Sequence, residues 1–272
     1  MMVWLNGAFV TEGEARVSAS DRGFLLGDGA FETVRFEGGS LRRWARHERR
    51  LLGALEALGI SAETLPDMPA LAGELVQANR LETAIIRLTV SRGAGGRGLE
   101  GKDDCAPTVL VSAQARTPLT PPRLAMLGAP RRAPLTLSAH FKMLGYGDNV
   151  FARREAKARG ADMAVMLSAS GHVACADCAN LFWVTGRTVF TPGLETGALA
   201  GTTRAAILGA AASQGLHIEE GFFRPESLAS AEAVVLTNAV HGAVAAASMD
   251  GRALKTGHAL VDLICRLERE AD

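Results

Sequence analysis

The chain has 272 residues, 48% of them apolar and 21% charged, with 29 Lys and Arg balancing 29 Asp and Glu. That length admits one large domain or two ordinary ones with a buried core, so wholesale disorder is excluded. Zero net charge leaves no global attraction for nucleic acid or an anionic membrane.

Residues 3–10 read as strand around an Asn6-Gly7 turn, and 30–37 alternate as a strand before the Gly38-Gly39 turn. From Leu41 to Leu58 the leucines recur at helical spacing, with Gly59 as the stop, and helical propensity returns over 67–79. Residues 84–90 and 107–112 are strands joined by a glycine-rich excursion. The Pro-rich stretch 118–123 is the most linker-like, since consecutive prolines hold the backbone extended. It divides an N-terminal domain, 1–117, from a C-terminal domain, 124–272. Beyond it the pattern predicts a helix over 147–159, a hairpin of 162–168 with 178–185 through Ala169-Ser170-Gly171, a helix opening near Thr202 and a strand at 232–237. The class is α+β without a repeat period.

Three familiar motifs fail on context. Gly93-Ala94-Gly95-Gly96-Arg97-Gly98 fits a dinucleotide fingerprint, but Gly101, Asp103, Asp104 and Pro107 forbid the helix whose N-terminus would hold a pyrophosphate. The overlapping P-loop pattern falls one residue short, with Asp103 where a hydroxyl belongs. His172, Cys175 and Cys178 form H-x-x-C-x-x-C without a fourth zinc ligand, so no metal is expected. Cys105, Cys175, Cys178 and Cys265 are too few for a disulfide scaffold, which predicts a reducing cytoplasm. The N-terminus carries no signal pattern, and no apolar run approaches the roughly 20 residues of a membrane span.

Four segments, in order, carry a resemblance. They are Asp21-Arg22-Gly23-Phe24-Leu25-Leu26-Gly27-Asp28-Gly29-Ala30-Phe31-Glu32-Thr33-Val34-Arg35; His47-Glu48-Arg49-Arg50-Leu51; Lys142-Met143-Leu144-Gly145-Tyr146 running into Asn149 and Ala152-Arg153-Arg154-Glu155-Ala156; and Asn180-Leu181-Phe182-Trp183 with Gly201-Thr202-Thr203-Arg204. Together they resemble the fold-type IV pyridoxal-phosphate enzymes, the family of branched-chain and D-amino-acid aminotransferases and aminodeoxychorismate lyase, over nearly the whole chain.

The resemblance implies a two-domain α+β fold, with a small N-terminal α/β domain and a larger barrel-like C-terminal domain that binds pyridoxal phosphate. It implies that Lys142, one of only four lysines, bonds the cofactor and then serves as the proton-shuttling base. Arg50 is similar to the family's phosphate-binding arginine. Thr202 and Thr203 would offer donors at a helix N-terminus, where the dipole favours a dianion. Tyr146, the only tyrosine, matches a position near the cofactor's phenolic oxygen, and Asn238 falls among the cofactor-binding positions. Ala239 falls among the substrate-binding ones. A homodimer acting on a small molecule is implied, with no nucleic acid or membrane partner.

One position departs from the pattern. The family has a glutamate five residues before the Asn of its Asn-Leu-Phe stretch, paired with the pyridine nitrogen, and here that position is Cys175. A neutral thiol is a weak partner for a pyridinium. Asp177, two residues on, shares the face of Cys175 in a regular strand and would supply a carboxylate there; after a bulge it would not.

The stretch 91–98 is similar to the glycine-arginine stretch of aminodeoxychorismate lyases, and 178–183 resembles their strand. Their dicarboxylate substrate suits Arg97 and Arg35 as clamps, Arg97 acting in its own or the partner's site. The implied activity is release of 4-aminobenzoate and pyruvate from 4-amino-4-deoxychorismate. Alternatives are an aminotransferase for D- or branched-chain amino acids or amines, and a cofactor-binding protein with little activity.

Overall fold

The computed structural model describes residues 1–96, 98–100 and 105–271, which divide into two compact units. The first comprises Met1–Thr117 together with Phe141–Gly145, and the second comprises Pro118–His140 with Tyr146–Asp272. Among the described residues no helix is long and apolar enough to cross a membrane.

In the first unit the elements are β1 (Met2–Leu5), β2 (Ala8–Thr11), α1 (Arg22–Leu26), β3 (Gly29–Glu37), β4 (Ser40–Leu41), α2 (Trp44–Leu58), α3 (Met68–Ala78), β5 (Ala84–Ser91) and β6 (Thr108–Ala115). Six strands form one sheet in the order β2-β1-β6-β5-β3-β4. Asn6 and Gly7 take positive φ, as the tight β1–β2 turn requires. The expected helix from Leu41 begins instead at Trp44, because Gly38 and Gly39, both at positive φ, fold the chain back so that Leu41 pairs with Phe36. On α2, His47, Leu51, Ala54 and Leu55 form the buried stripe, and Gly59 ends it in the left-handed region. Asp67 caps α3 by accepting from the Ala70 N–H. Leu51, Leu55, Leu75, Ile86 and Leu88 anchor the core between sheet and helices.

The second unit carries β7 (Arg123–Arg132), α4 (Leu137–His140), α5 (Gly147–Ala158), β8 (Met163–Ser168), β9 (Val173–Ala176), β10 (Asn180–Thr185), β11 (Thr188–Pro192), α6 (Thr202–Ala211), β12 (Ile218–Gly221), α7 (Pro225–Ala229), β13 (Ala233–Asn238), β14 (Gly242–Ala245), β15 (Ser248–Met249), β16 (Arg252–Ala253) and α8 (Ala259–Glu270). They make two five-stranded sheets, β12-β11-β10-β13-β14 and β16-β15-β7-β8-β9. Strands β8, β10 and β13 are buried almost throughout, which is why they read as continuous apolar runs.

The expected hairpin of 162–168 with 178–185 is corrected here. The turn after β8 leads into the short strand β9, and β10 belongs to the other sheet, where it pairs with β11 and β13. The reason lies at Asp177. Its N–H donates to the Ala164 carbonyl while its side chain accepts from the Ala164 N–H, a side-chain closure after which the strand stops. The domain division is corrected too, since 141–145 belongs to the first unit. The Phe31 N–H donates to the Lys142 carbonyl (2.9 Å) and the Leu144 N–H to the Gly29 carbonyl (3.0 Å), adding this short segment to the edge of β3.

Candidate active site

In the first unit the site is built on the start of β3. The 142–144 segment pairs with Gly29–Phe31, and the Lys142 ammonium lies over the Phe31 ring, 4.3 Å from its centre. Arg87, opposite Thr33 on β5, places its guanidinium carbon 3.9 Å from the same ring centre. The two cations are therefore separated by no more than the sum of those distances. Sequence reasoning missed Arg87, because only pairing register brings it to Phe31.

On the other face of β3 stands Glu32, fully buried. It accepts Nε and Nη2 of Arg50, each at 2.7 Å, and Nδ1 of His47, also at 2.7 Å. His47 and Arg50 are one turn apart on α2, so a single carboxylate gathers both. Burial alone would raise the Glu32 pKa, but the hydrogen bonds from His47 and Arg50 outweigh it and hold the group at about 2. Burial also pushes His47 below its ordinary value, against the pull of Glu32. An ionised Glu32 only accepts, so the proton of neutral His47 sits on Nδ1. The motif around 47–50 carried the signal for Arg50; nothing in the sequence marked Glu32 as the group that orients it.

Arg35 shares the Phe31 face of β3, about 13 Å farther along at strand rise. It is buried and paired with Glu37 at 3.5 Å. Arg97 lies outside the described residues.

In the second unit Thr202 and Thr203 open α6, whose N-cap Gly201 supplies no side-chain cap. Gly201 is required there, since a Cβ would come within 2.0 Å of Asn180 Oδ1. Asn180 in turn donates to the Leu199 carbonyl and so pins the chain entering the helix. The Thr203 hydroxyl is buried and has no hydrogen-bond partner among the described residues, and the same holds for the hydroxyl of Thr237 on β13. Two buried, unmatched hydroxyls, one of them at a helix start whose N-cap is glycine, are a donor set that suits an oxyanion such as a phosphate. Thr237 was not anticipated. The next residue, Asn238, was, but its Oδ1 accepts the N–H groups of Val240 and His241, so its side chain builds the turn that contains Ala239. Tyr146 is half-buried immediately before α5.

Cys175 is buried beside Ala174 and Ala198. Burial pushes its thiol up to about 11, with Arg132 pulling the other way, so it is neutral at physiological pH. Asp177 is committed elsewhere. Both its oxygens accept from Arg153 at 2.6 Å, and one also accepts the Ala164 N–H. The expectation that Asp177 replaces the missing carboxylate is corrected accordingly: β9 ends at Ala176, its pairing with β8 shifts register, and the side chain is used to bind α5. His172 of the H-x-x-C-x-x-C pattern pairs with the Ser170 hydroxyl and stacks edge-on against Phe222.

Comparison with known proteins shows which family the chain belongs to. The family model described as amino-transferase class IV matches residues 29–249. A Methanocaldococcus jannaschii protein named "Putative branched-chain-amino-acid aminotransferase" is 31% identical over 258 residues, covering 93% of this chain and 90% of that one. The aminodeoxychorismate lyase of Bacillus subtilis is 32% identical over 246 residues, covering 88% and 83%. Among solved structures, the branched-chain aminotransferase of Thermoproteus uzoniensis, crystallised with norvaline, superposes with a TM-score of 0.90 at 27% identity, covering 99% of this chain and 93% of that one. The chain thus belongs to the class IV aminotransferase family, the pyridoxal-phosphate-dependent enzymes of fold type IV.

Proposed function

We propose that this enzyme is a 4-amino-4-deoxychorismate lyase, releasing 4-aminobenzoate and pyruvate. The observation that carries the reading is the neutral, buried thiol of Cys175 at the position which the resemblance assigns to the cofactor's ring nitrogen, with Asp177 already held by Arg153. When bound, pyridoxal phosphate supplies an aldehyde that condenses with amines and a ring that takes up electron density. A thiol is a poor counter-group for a protonated ring nitrogen, which weakens that uptake. Lyase chemistry tolerates this better than transamination because aromatisation of the substrate itself drives the reaction.

Lys142 is assigned as the amine that holds the cofactor and, once the substrate amine has displaced it, as the base that removes the ring proton. Its place against Phe31 keeps it on a desolvated aromatic face. Arg50, oriented by Glu32 and His47, is assigned to the cofactor phosphate, with Thr202, Thr203 and Thr237 as its hydroxyl donors and Asn238 shaping the adjacent turn. Tyr146 is assigned to the phenolic oxygen. Substrate carboxylates are assigned to Arg97 and to Arg87, which faces the same ring as Lys142, with Arg35 farther along that strand face and Ala239 at the substrate.

The second reading, an aminotransferase for D- or branched-chain amino acids or amines, is favoured by the 31% identity to the Methanocaldococcus protein. The two are separated by incubating the loaded enzyme with 4-amino-4-deoxychorismate and measuring 4-aminobenzoate and pyruvate, then with amino donors and 2-oxo acids. Product only in the first assay supports the lyase, product only in the second overturns it, and product in neither leaves a binding protein of little activity. A homodimer is proposed on the exposed apolar side chains Phe24, Leu25 and Leu26 of α1, which are 78%, 55% and 50% accessible. A fully active monomer in sedimentation refutes it. A cytoplasmic site of action is proposed on the small number of cysteines in a chain of this length.

A further inference from the structure

The long connection from β5 to β6 leaves the sheet at Ser91 and returns at Thr108, two residues that pair with each other. Glycine-rich and polar, such a connection has little core of its own to order it. Yet its described parts are tied down by charged groups from the segment 21–28. Buried Asp21 accepts the hydroxyls of both Ser91 (2.9 Å) and Thr108 (2.7 Å), closing the two ends of the loop, while its other oxygen caps α1. Gly93 must be glycine, since a Cβ at its positive φ would lie 1.9 Å from the Ala106 carbonyl.

Arg22 reaches farther in. Its backbone N–H donates to the Gly93 carbonyl (2.9 Å), Nη1 to the Gly98 carbonyl (2.9 Å) and Nη2 to the Leu99 carbonyl (3.0 Å). Its third donor, Nε, goes to Asp28 Oδ2 at 2.9 Å. Asp28 also accepts Nε (2.8 Å) and Nη2 (3.3 Å) of Arg92, and Arg92 donates as well to the Leu58 and Gly59 carbonyls where α2 ends. The residue after Asp28 is Gly29, whose carbonyl holds Leu144, two residues from Lys142. One carboxylate therefore joins the loop, the end of α2 and the strand that carries the lysine segment.

We infer that Arg22 and Asp28 are positioning residues that fix the glycine-rich loop against the start of β3 and thereby set affinity for a carboxylate substrate. Among the described residues of the loop Arg22 donates to carbonyls alone, so it constrains backbone course there. Two adjacent carbonyls held by one planar fork cannot rotate independently, and the fork is itself held by Asp28. The part of this inference that concerns substrate rests on the proposed role of Arg97, the residue preceding Gly98; the clamp itself does not.

The test is amide hydrogen exchange on the cofactor-loaded enzyme, combined with steady-state kinetics, for Arg22→Ala, Arg22→Lys and Asp28→Asn. Arg22→Lys keeps a cation beside Asp28 but cannot fork across two carbonyls, and it serves where the alanine variant fails to fold. Exchange over residues 93–100 should quicken by about tenfold or more in each variant, the equivalent of one lost charged hydrogen bond. KM for 4-amino-4-deoxychorismate should rise by about tenfold with kcat and visible absorbance held. Unchanged exchange in the folded variants overturns the clamp. Quickened exchange with KM unmoved upholds the clamp and overturns the assignment of this loop to the substrate.

Discussion

The groups that each unit brings to the candidate site are treated in opposite ways. In the first, charge is buried in closed sets: Glu32 with His47 and Arg50, Asp28 with Arg22 and Arg92, Asp21 with two hydroxyls and a helix cap. In the second, the hydroxyls of Thr203 and Thr237 are buried without partners among the described residues, that of Thr203 at a helix start whose N-cap is glycine. A closed set is rigid and is costly to open, because the surviving partner is left charged in the interior. An unmatched hydroxyl already carries its desolvation cost, so deleting it takes nothing from the folded chain and something from a ligand. The first unit orients groups through the fold; the second keeps donors in reserve.

The largest effect is expected where the comparison is least forgiving. Lys142→Ala should abolish turnover and the visible absorbance of the loaded protein, because no other lysine among the described residues pairs onto β3. Borohydride labelling with the cofactor that persists in this variant refutes the assignment.

Next comes the closed set itself. Glu32→Ala should destabilise the fold by about 3–5 kcal/mol, measured by denaturant unfolding, since it strands Arg50 and His47 in the interior. The wild type supplies a pH signature for the same group. The folded pKa of Glu32, about 2, lies below its ordinary 4.5, so its contribution is complete above pH 4.5 and is lost as pH falls towards 2. His47, also held below its ordinary value, works in the same direction as acid protonates the unfolded chain first. Glu32→Gln should flatten the loss between pH 4.5 and 2, and an unchanged acid profile would show that the carboxylate is not what the cluster depends on.

Thr203→Val sharpens the contrast from the other side. The unloaded protein should melt at the same temperature or slightly higher, while the cofactor's Kd rises by roughly 10- to 150-fold, the worth of a hydrogen bond to a charged group. A drop in melting temperature would mean that the hydroxyl has a structural partner.

The smallest and most diagnostic changes concern β9. Cys175→Glu should raise aminotransferase turnover relative to lyase turnover, a ratio read from the two product assays. Asp177→Asn should leave that ratio alone and cost about 1–2 kcal/mol of stability, because its work is the contact with Arg153 and the Ala164 N–H. A shifted ratio in Asp177→Asn would return that carboxylate to the cofactor.

Much of this was legible in the sequence. Alternation and leucine spacing located β3, α2, β5, β6 and β13 to within a few residues, because those signals are local periodicities. Four spaced segments were enough to name the family, and the resemblance they carry singled out Lys142, Arg50 and the threonines of α6. What the sequence could not decide were the pairings between distant residues. That Glu32 rather than solvent orients Arg50, that Arg87 shares a ring with Lys142, that Asp177 turns to Arg153 and that 141–145 joins the first sheet all depend on register and strand ends. A shift of one residue in a strand reverses which face a side chain takes, and only the competition among all the strands for partners sets that register.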